Sequence, residues 1–120
     1  MDYLQFLESV ELITGLDREE AWQAAEATLT TLAERVGRPV AEELAGAMPG
    51  ELRPPLTAAP PEAEAFDAEE FVRRTAVREG SATEQASQHV RAVFGTLKED
   101  IAAVDRLRDQ LPPDYRDLFA

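Results

Sequence analysis

The sequence predicts an all-α fold, a single six-helix bundle in which two three-helix repeats are related by a pseudo-twofold axis. Three observations favour this fold. Apolar residues recur at the three-four spacing of amphipathic helices, the pattern occurs twice along the chain, and no segment alternates apolar and polar residues as a strand would. The predicted domain spans residues 1–120, with repeat one at 1–56, a proline-rich connector at 57–65 and repeat two at 66–120.

The internal repeat is visible as pairs of similar residues at a nearly constant separation along the chain. The matched pairs include Phe6 with Phe71, Gly15 with Gly80, Leu29 with Phe94, Leu44 with Leu107, and Leu56 with Phe119. Each repeat alone exposes a wide apolar face and is too small to bury it well. The two repeats are therefore expected to share one core.

The first helix of each repeat is bounded by capping residues. In repeat one it is expected from about Asp2 to Thr14, and Asp67 begins the matching helix in repeat two. Gly15 and Gly80 are expected to end these helices in the left-handed conformation. The apolar face of the first helix comprises Tyr3, Phe6, Leu7, Val10 and Ile13.

The second helix of each repeat carries the longest apolar stripe. In repeat one the stripe comprises Ala21, Ala25, Thr28, Leu29, Leu32 and Val36. In repeat two it comprises Ala86, Val90, Val93, Phe94, Leu97 and Ile101. Capping boxes are predicted at the two starts, from Asp17 with Glu20 and from Ser81 with Glu84.

A short third helix is predicted at Pro39–Ala47 and again at Ala102–Gln110. Each is followed by proline, at Pro49 and Pro112, and then by a short apolar turn. Between the repeats, the proline-rich segment Pro54–Ala65 is typical of an extended, semi-rigid connector.

The most distinctive stretch closes the chain, Leu111-Pro112-Pro113-Asp114-Tyr115-Arg116-Asp117-Leu118-Phe119. Together with the opening Met1-Asp2-Tyr3 and the segment Gly15-Leu16-Asp17-Arg18-Glu19-Glu20-Ala21, it resembles the bacterial family catalogued as domain of unknown function 2267. The resemblance covers nearly the whole chain and implies a small, all-helical tandem-repeat domain. It implies no catalytic residues. Repeat one departs from the pattern, because Met48–Leu52 lacks the full closing motif.

The charge and composition exclude several classes of function. A net charge of −12 repels phosphate backbones, so no direct nucleic-acid binding is expected. No apolar run approaches the length of a membrane span, and the acidic amino terminus lacks the pattern of a signal peptide. The absence of cysteine removes thiolate chemistry and fits a reducing cytoplasm. We therefore expect a cytoplasmic protein without membrane contact.

The sequence offers little that resembles a catalytic or metal site. His89 is the only histidine, and neither Glu84 nor Ser87 stands one helical turn from it, so a surface or boundary position is expected. The acidic clusters fit no calcium loop, and there is no glycine-rich phosphate loop or repeated Glu-x-x-His pair. No catalytic, cofactor-binding or metal-ligating residue is predicted.

The candidate interaction residues are Trp22, Tyr115, Leu118 and Phe119. Trp22 lies beside the apolar stripe, where it is expected either as an exposed anchor or packed against the connector. The three C-terminal residues form a second candidate patch, but the pattern favours the interpretation that they close the core, as Leu52 and Leu56 would in repeat one.

These observations favour a non-enzymatic cytoplasmic module that acts in protein–protein interaction or regulation. The partner would be another protein or a second copy of the chain in a homodimer. Two alternatives remain open at this point. One is a small-ligand or metal-binding protein that uses carboxylates between the repeats. The other is an acidic decoy that occupies a basic DNA-binding protein.

Overall fold

The computed structural model describes residues 1–120 and contains only helices, turns and irregular segments. The α-helices are α1 (Tyr3–Thr14), α2 (Arg18–Val36), α3 (Arg38–Gly46), α4 (Pro54–Thr57), α5 (Ala68–Glu79), α6 (Thr83–Asp100) and α7 (Ala102–Gln110). Two 3₁₀ helices cover Gly50–Leu52 and Pro113–Phe119. The predicted all-α class is confirmed. None of the helices is both long and apolar enough to cross a membrane.

Helices α1 and α5 begin and end in the same way. The carboxylate of Asp2 accepts a hydrogen bond from the Leu4 amide, and that of Asp67 accepts one from the Glu70 amide, both at 2.8 Å. Both helices end at a glycine in the left-handed region, with φ of 77° at Gly15 and 72° at Gly80. Glycine adopts this conformation without the steric cost that a Cβ would bring.

The two second helices, α2 and α6, begin differently. Asp17 and Glu20 form the predicted capping box, with reciprocal bonds of 2.8 and 3.1 Å. The capping box predicted from Ser81 and Glu84 is wrong. Helix α6 begins one residue later with Ala82 at its N-cap, which has no side-chain oxygen, and the Ser81 hydroxyl instead donates to the carboxylate of Glu79 at 2.6 Å.

The core draws on both halves of the chain, since α2 packs against α5 and α6, and α1 packs against α6. It is one cluster of 26 buried residues that includes Phe6, Leu29, Phe71 and Phe94. The predicted apolar face of α1 and the two predicted stripes supply 12 of these residues.

Ile13 is an exception to the predicted apolar face of α1, because it is 63% exposed. In the last turn of this helix the inward place is taken by Thr14, which is half-buried and donates to the Val10 carbonyl at 2.6 Å. The Thr14 hydroxyl thus has its hydrogen-bond acceptor within the helix, and Ile13 lies on the exposed side of α1.

The connector is more ordered than the predicted extended spacer. Its first prolines begin the short helix α4, and Ala59 is buried. Farther along, the Glu64 amide donates to the Glu34 carbonyl at 2.9 Å, and the backbone of Ala63 lies against Gly37. The connector is therefore fixed to the end of α2.

Candidate functional site

The C-terminal candidates Tyr115, Leu118 and Phe119 are buried, with exposed fractions of 0%, 4% and 0%. The ring of Phe119 stacks on that of Phe94 with centroids 4.4 Å apart, and Tyr115 meets Phe71 edge-on at 5.9 Å. The interpretation of these three residues as a surface patch is therefore wrong, and they close the core instead. The C-terminal 3₁₀ helix folds back on α5, α6 and α7 and turns these side chains into the core.

The closing motif also carries polar contacts that hold the segment in place. The hydroxyl of Tyr115 donates to the Phe66 carbonyl and accepts from Nε of Arg35, at 2.6 and 3.2 Å. The carboxylate of Asp114 accepts from the Ala68 amide at 2.8 Å, at the start of α5. Burial raises the pKa of Tyr115 to about 12. The motif is thus explained by its contacts within the chain.

Trp22 remains on the surface and is 39% exposed. It lines a groove of about 600 Å³ between α2 and α5, together with Val77, which is 71% exposed. The groove also includes Gln23, Glu26, Ala27, Thr30, Arg78, Glu79 and Gly80. No connector residue lines it, so the groove favours the exposed-anchor interpretation of Trp22.

His89 occupies the predicted boundary position, with 13% of its side chain exposed. Its Nδ1 lies 2.7 Å from Oε1 of Glu79, the last residue of α5, whose side chain is only 4% exposed. Sequence reasoning missed this partner because it considered residues within one helical turn of the histidine. The glycine at position 80 ends α5 and lets the chain reverse into α6, which brings Glu79 back to His89. A left-handed glycine between two helices is the signal that could have suggested such a pair.

The polar cluster of Glu79, Ser81 and His89 has a defined donor and acceptor pattern. Oε1 of Glu79 accepts from the Ser81 hydroxyl at 2.6 Å and from Nδ1 of His89. Because an ionised carboxylate only accepts hydrogen bonds, Nδ1 of His89 is the donor in this contact. No hydrogen bond joins Ser81 to the histidine.

A small pocket of about 220 Å³ opens onto this cluster. It is lined by Leu16, Glu20, Gln23, Glu79, Gly80, Ser81, Gln85 and His89. It adjoins the groove at Trp22, because both include Gln23, Glu79 and Gly80. Nε2 of His89 and Oε2 of Glu79 have no partner within the chain and are not sealed from solvent.

Charged side chains form a second cluster where α2 faces α5. The guanidinium of Arg78 holds the carboxylate of Glu34 with bonds of 2.7 and 2.8 Å and lowers the pKa of Glu34. Hydrogen bonds from Arg73 and Arg74 lower the pKa of Glu70 to about 2. These carboxylates are paired, so they are not free acceptors for a ligand.

No three histidine, aspartate or glutamate side chains converge in a geometry that could hold a metal ion. The interpretation of a carboxylate metal site between the repeats gains no support from the arrangement of the acidic residues. Most of them lie at helix starts or in ion pairs.

Comparison with known protein families identifies the family of this chain. A family model described as an uncharacterized conserved protein, DUF2267, matches residues 3–118. Searches of curated proteins and of solved structures give no match. The family description assigns no function. Since the match covers nearly the whole chain, including the closing motif as far as Leu118, the chain belongs to the DUF2267 family.

Proposed function

We propose that this chain is a non-enzymatic interaction or regulatory module that binds a partner protein through the groove between α2 and α5. The observation that carries the proposal is the pair Trp22 and Val77. Both are large, apolar and exposed, and both line the same concave surface. Tryptophan is enriched at the energetic centres of protein interfaces, where one end of the ring is buried and the other stays near solvent.

The geometry of the polar cluster supports the non-enzymatic part of the proposal. A serine nucleophile is activated by a hydrogen bond to the free nitrogen of its histidine, while the carboxylate holds the other nitrogen. Here Ser81 and His89 both donate to the same oxygen of Glu79. The serine proton is directed to the carboxylate and not to a histidine nitrogen. The arrangement therefore lacks the serine–histidine hydrogen bond that activates a serine hydroxyl.

The partner is a different protein in the version that we favour, although a second copy of the chain is the simplest alternative. Two copies would each carry a charge of −12, so association between them should strengthen as salt screens their repulsion. Sedimentation at low and high salt separates the two cases. A monomer under both conditions supports a different protein as partner.

We also propose that the two halves are tandem repeats about a pseudo-twofold axis and fold as one unit. Helices α1 and α5 have equal lengths and equivalent caps, and Leu52 and Leu56 are buried as are their counterparts Tyr115 and Phe119. Limited proteolysis within the connector is the test. If the cut chain stays associated and folded, the single unit is supported, whereas two stable halves that separate would overturn it.

A cytoplasmic location in a bacterial cell is part of the same proposal. It rests on the cysteine-free sequence and on the family resemblance. Fractionation of the native host, followed by detection with an antibody, would test it.

The interaction proposal is tested by affinity capture from native host lysate with three forms of the chain. These are the natural sequence, Trp22→Ala and the control Leu12→Ala. Leu12 is 87% exposed and lies outside the groove, so it matches Trp22 as an exposed apolar residue. We expect one stoichiometric partner that is retained by Leu12→Ala and lost by Trp22→Ala. Equal capture by both variants would contradict the proposed surface, as would no partner at all.

A further inference from the structure

We propose that the groove and the adjoining pocket bind a segment of a partner protein that carries a lysine or arginine beside a large apolar residue. The basic side chain would enter the pocket at Glu79 and His89, and the apolar side chain would lie against Trp22 and Val77. This inference rests on the proposed function and specifies the chemistry of the partner.

The first argument is the hydrogen-bonding capacity of the pocket. The side chain of Glu79 is 4% exposed, yet only its Oε1 is used within the chain. Oε2 of Glu79 and Nε2 of His89 have no hydrogen-bond partner in the chain and are not sealed from solvent, and both residues line the pocket. A buried ionised carboxylate is stabilised by donors on its remaining lone pairs. An ammonium or guanidinium group supplies such donors together with the opposite charge.

The second argument is the charge of the lining. Glu20, Glu26 and Glu79 are among the residues that line the groove and pocket, and Arg78 is the only arginine or lysine among them. The guanidinium of Arg78 is already held by Glu34 at 2.7 Å. The surface therefore attracts a cation locally, and the overall charge of −12 acts in the same direction.

The third argument concerns size and continuity, and it favours a protein segment over a free cation. The pocket of about 220 Å³ has room for a single long side chain. The larger groove continues from it past Gln23 and Gly80 to the exposed apolar surfaces of Trp22 and Val77. A free amine would leave this apolar surface uncovered, whereas a neighbouring residue of the same peptide would cover it.

The test begins with a random-peptide phage library selected on the intact chain. The selected peptides are then synthesised and titrated against it. Trp22 is the only tryptophan, so its fluorescence reports directly on the groove. We expect the selected peptides to share a lysine or arginine next to a large apolar residue. A selection that yields acidic or uncharged peptides, or none, would overturn the inference.

Variants then test the pocket itself. We expect Glu79→Gln to weaken peptide binding at least about tenfold, because a charge-assisted hydrogen bond is lost. Leu12→Ala, at an exposed residue outside both the groove and the pocket, should retain binding. Glu26→Gln removes a second negative charge from the groove, at a side chain that forms no hydrogen bond in the chain. We expect this variant to bind the peptide several times more weakly. Unchanged binding in both glutamine variants would overturn the inference.

Two further comparisons separate the possible outcomes. If arginine amide alone binds as tightly as the selected peptides, the pocket takes a free guanidinium and the peptide partner is overturned. In lysate capture, loss of the partner in Trp22→Ala but not in Glu79→Gln would leave the proposed function standing and remove this inference. Retention of the partner in both variants would remove the proposed function itself.

Discussion

The hydroxyl of Tyr115 lies 2.6 Å from the carbonyl oxygen of Phe66 and donates a hydrogen bond to it. Nε of Arg35 approaches both groups, at 2.9 Å from the carbonyl and 3.2 Å from the hydroxyl. The end of α2, the residue before the N-cap of α5 and the C-terminal 3₁₀ helix therefore meet at one point. This contact links the two halves of the chain through groups that are distant in sequence.

Replacing Tyr115 by phenylalanine should lower the free energy of unfolding by about 1–2 kcal/mol, because one buried hydrogen-bonding group is lost while the ring is kept. Chemical denaturation measures this change. Tyr3→Phe is the matched control, since the Tyr3 hydroxyl makes no hydrogen bond in the chain and should change stability by less than about 0.5 kcal/mol. Equal effects of the two substitutions would contradict the role of the Tyr115 hydroxyl.

The same hydroxyl predicts a loss of stability at alkaline pH. Burial raises the pKa of Tyr115 from 10.0 to about 12, so the unfolded chain releases this proton at a lower pH than the folded chain. The stabilising contribution is complete below pH 10 and declines as the pH rises from 10 to about 12. Denaturation across this range should show a smaller decline for Tyr115→Phe than for the natural chain. Parallel declines would be inconsistent with a raised pKa at Tyr115.

Local features of the fold could be predicted from the sequence because their causes are local. The caps at Asp2, Asp17 and Asp67 depend on a side chain and an amide within three residues, and Gly15 and Gly80 depend on their own φ. These signals do not require knowledge of what packs against the helix.

The features of the candidate site depend on tertiary contacts, which the local patterns of the sequence do not specify. Glu79 contacts His89 only because α5 and α6 pack against each other. Ser81 donates its hydrogen bond to the carboxylate of Glu79 and does not cap α6. The burial of Phe119 follows from the C-terminal segment folding back onto α6. The exposure of Trp22 likewise depended on the neighbouring helix, which supplies Val77.

Gly37 should be sensitive to substitution, and Gly46 should not. Gly37 has φ of 79°, and a Cβ there would lie 2.6 Å from the backbone nitrogen of Ala63. Gly37→Ala should therefore cost about 2–4 kcal/mol, from backbone strain and from displacement of the connector. A Cβ on Gly46, in α3, meets nothing within 4 Å, so Gly46→Ala should be neutral or stabilise by about 0.5 kcal/mol. Thermal unfolding compares the two, and a similar melting temperature for both would refute the close contact.

The two buried threonines of α2 should respond to valine in opposite directions. The hydroxyl of Thr28 is fully buried and has no hydrogen-bond partner. That of Thr31 donates to the Ala27 carbonyl at 3.0 Å and accepts from Arg78 at 2.8 Å. The shapes of the side chains are nearly the same in threonine and valine, so the substitutions isolate the hydroxyl.

Thr28→Val should raise the free energy of unfolding by about 1 kcal/mol, because it removes an unsatisfied polar group from the core. The counterpart of Thr28 in the sequence repeat is Val93, which is buried at the equivalent place in α6. Thr31→Val should lower stability by about 1–2 kcal/mol, since Arg78 loses an acceptor next to its pair with Glu34. Equilibrium denaturation of both variants gives the two signs. Destabilisation by Thr28→Val would mean that its hydroxyl is satisfied in solution, and the unsatisfied group would then not exist.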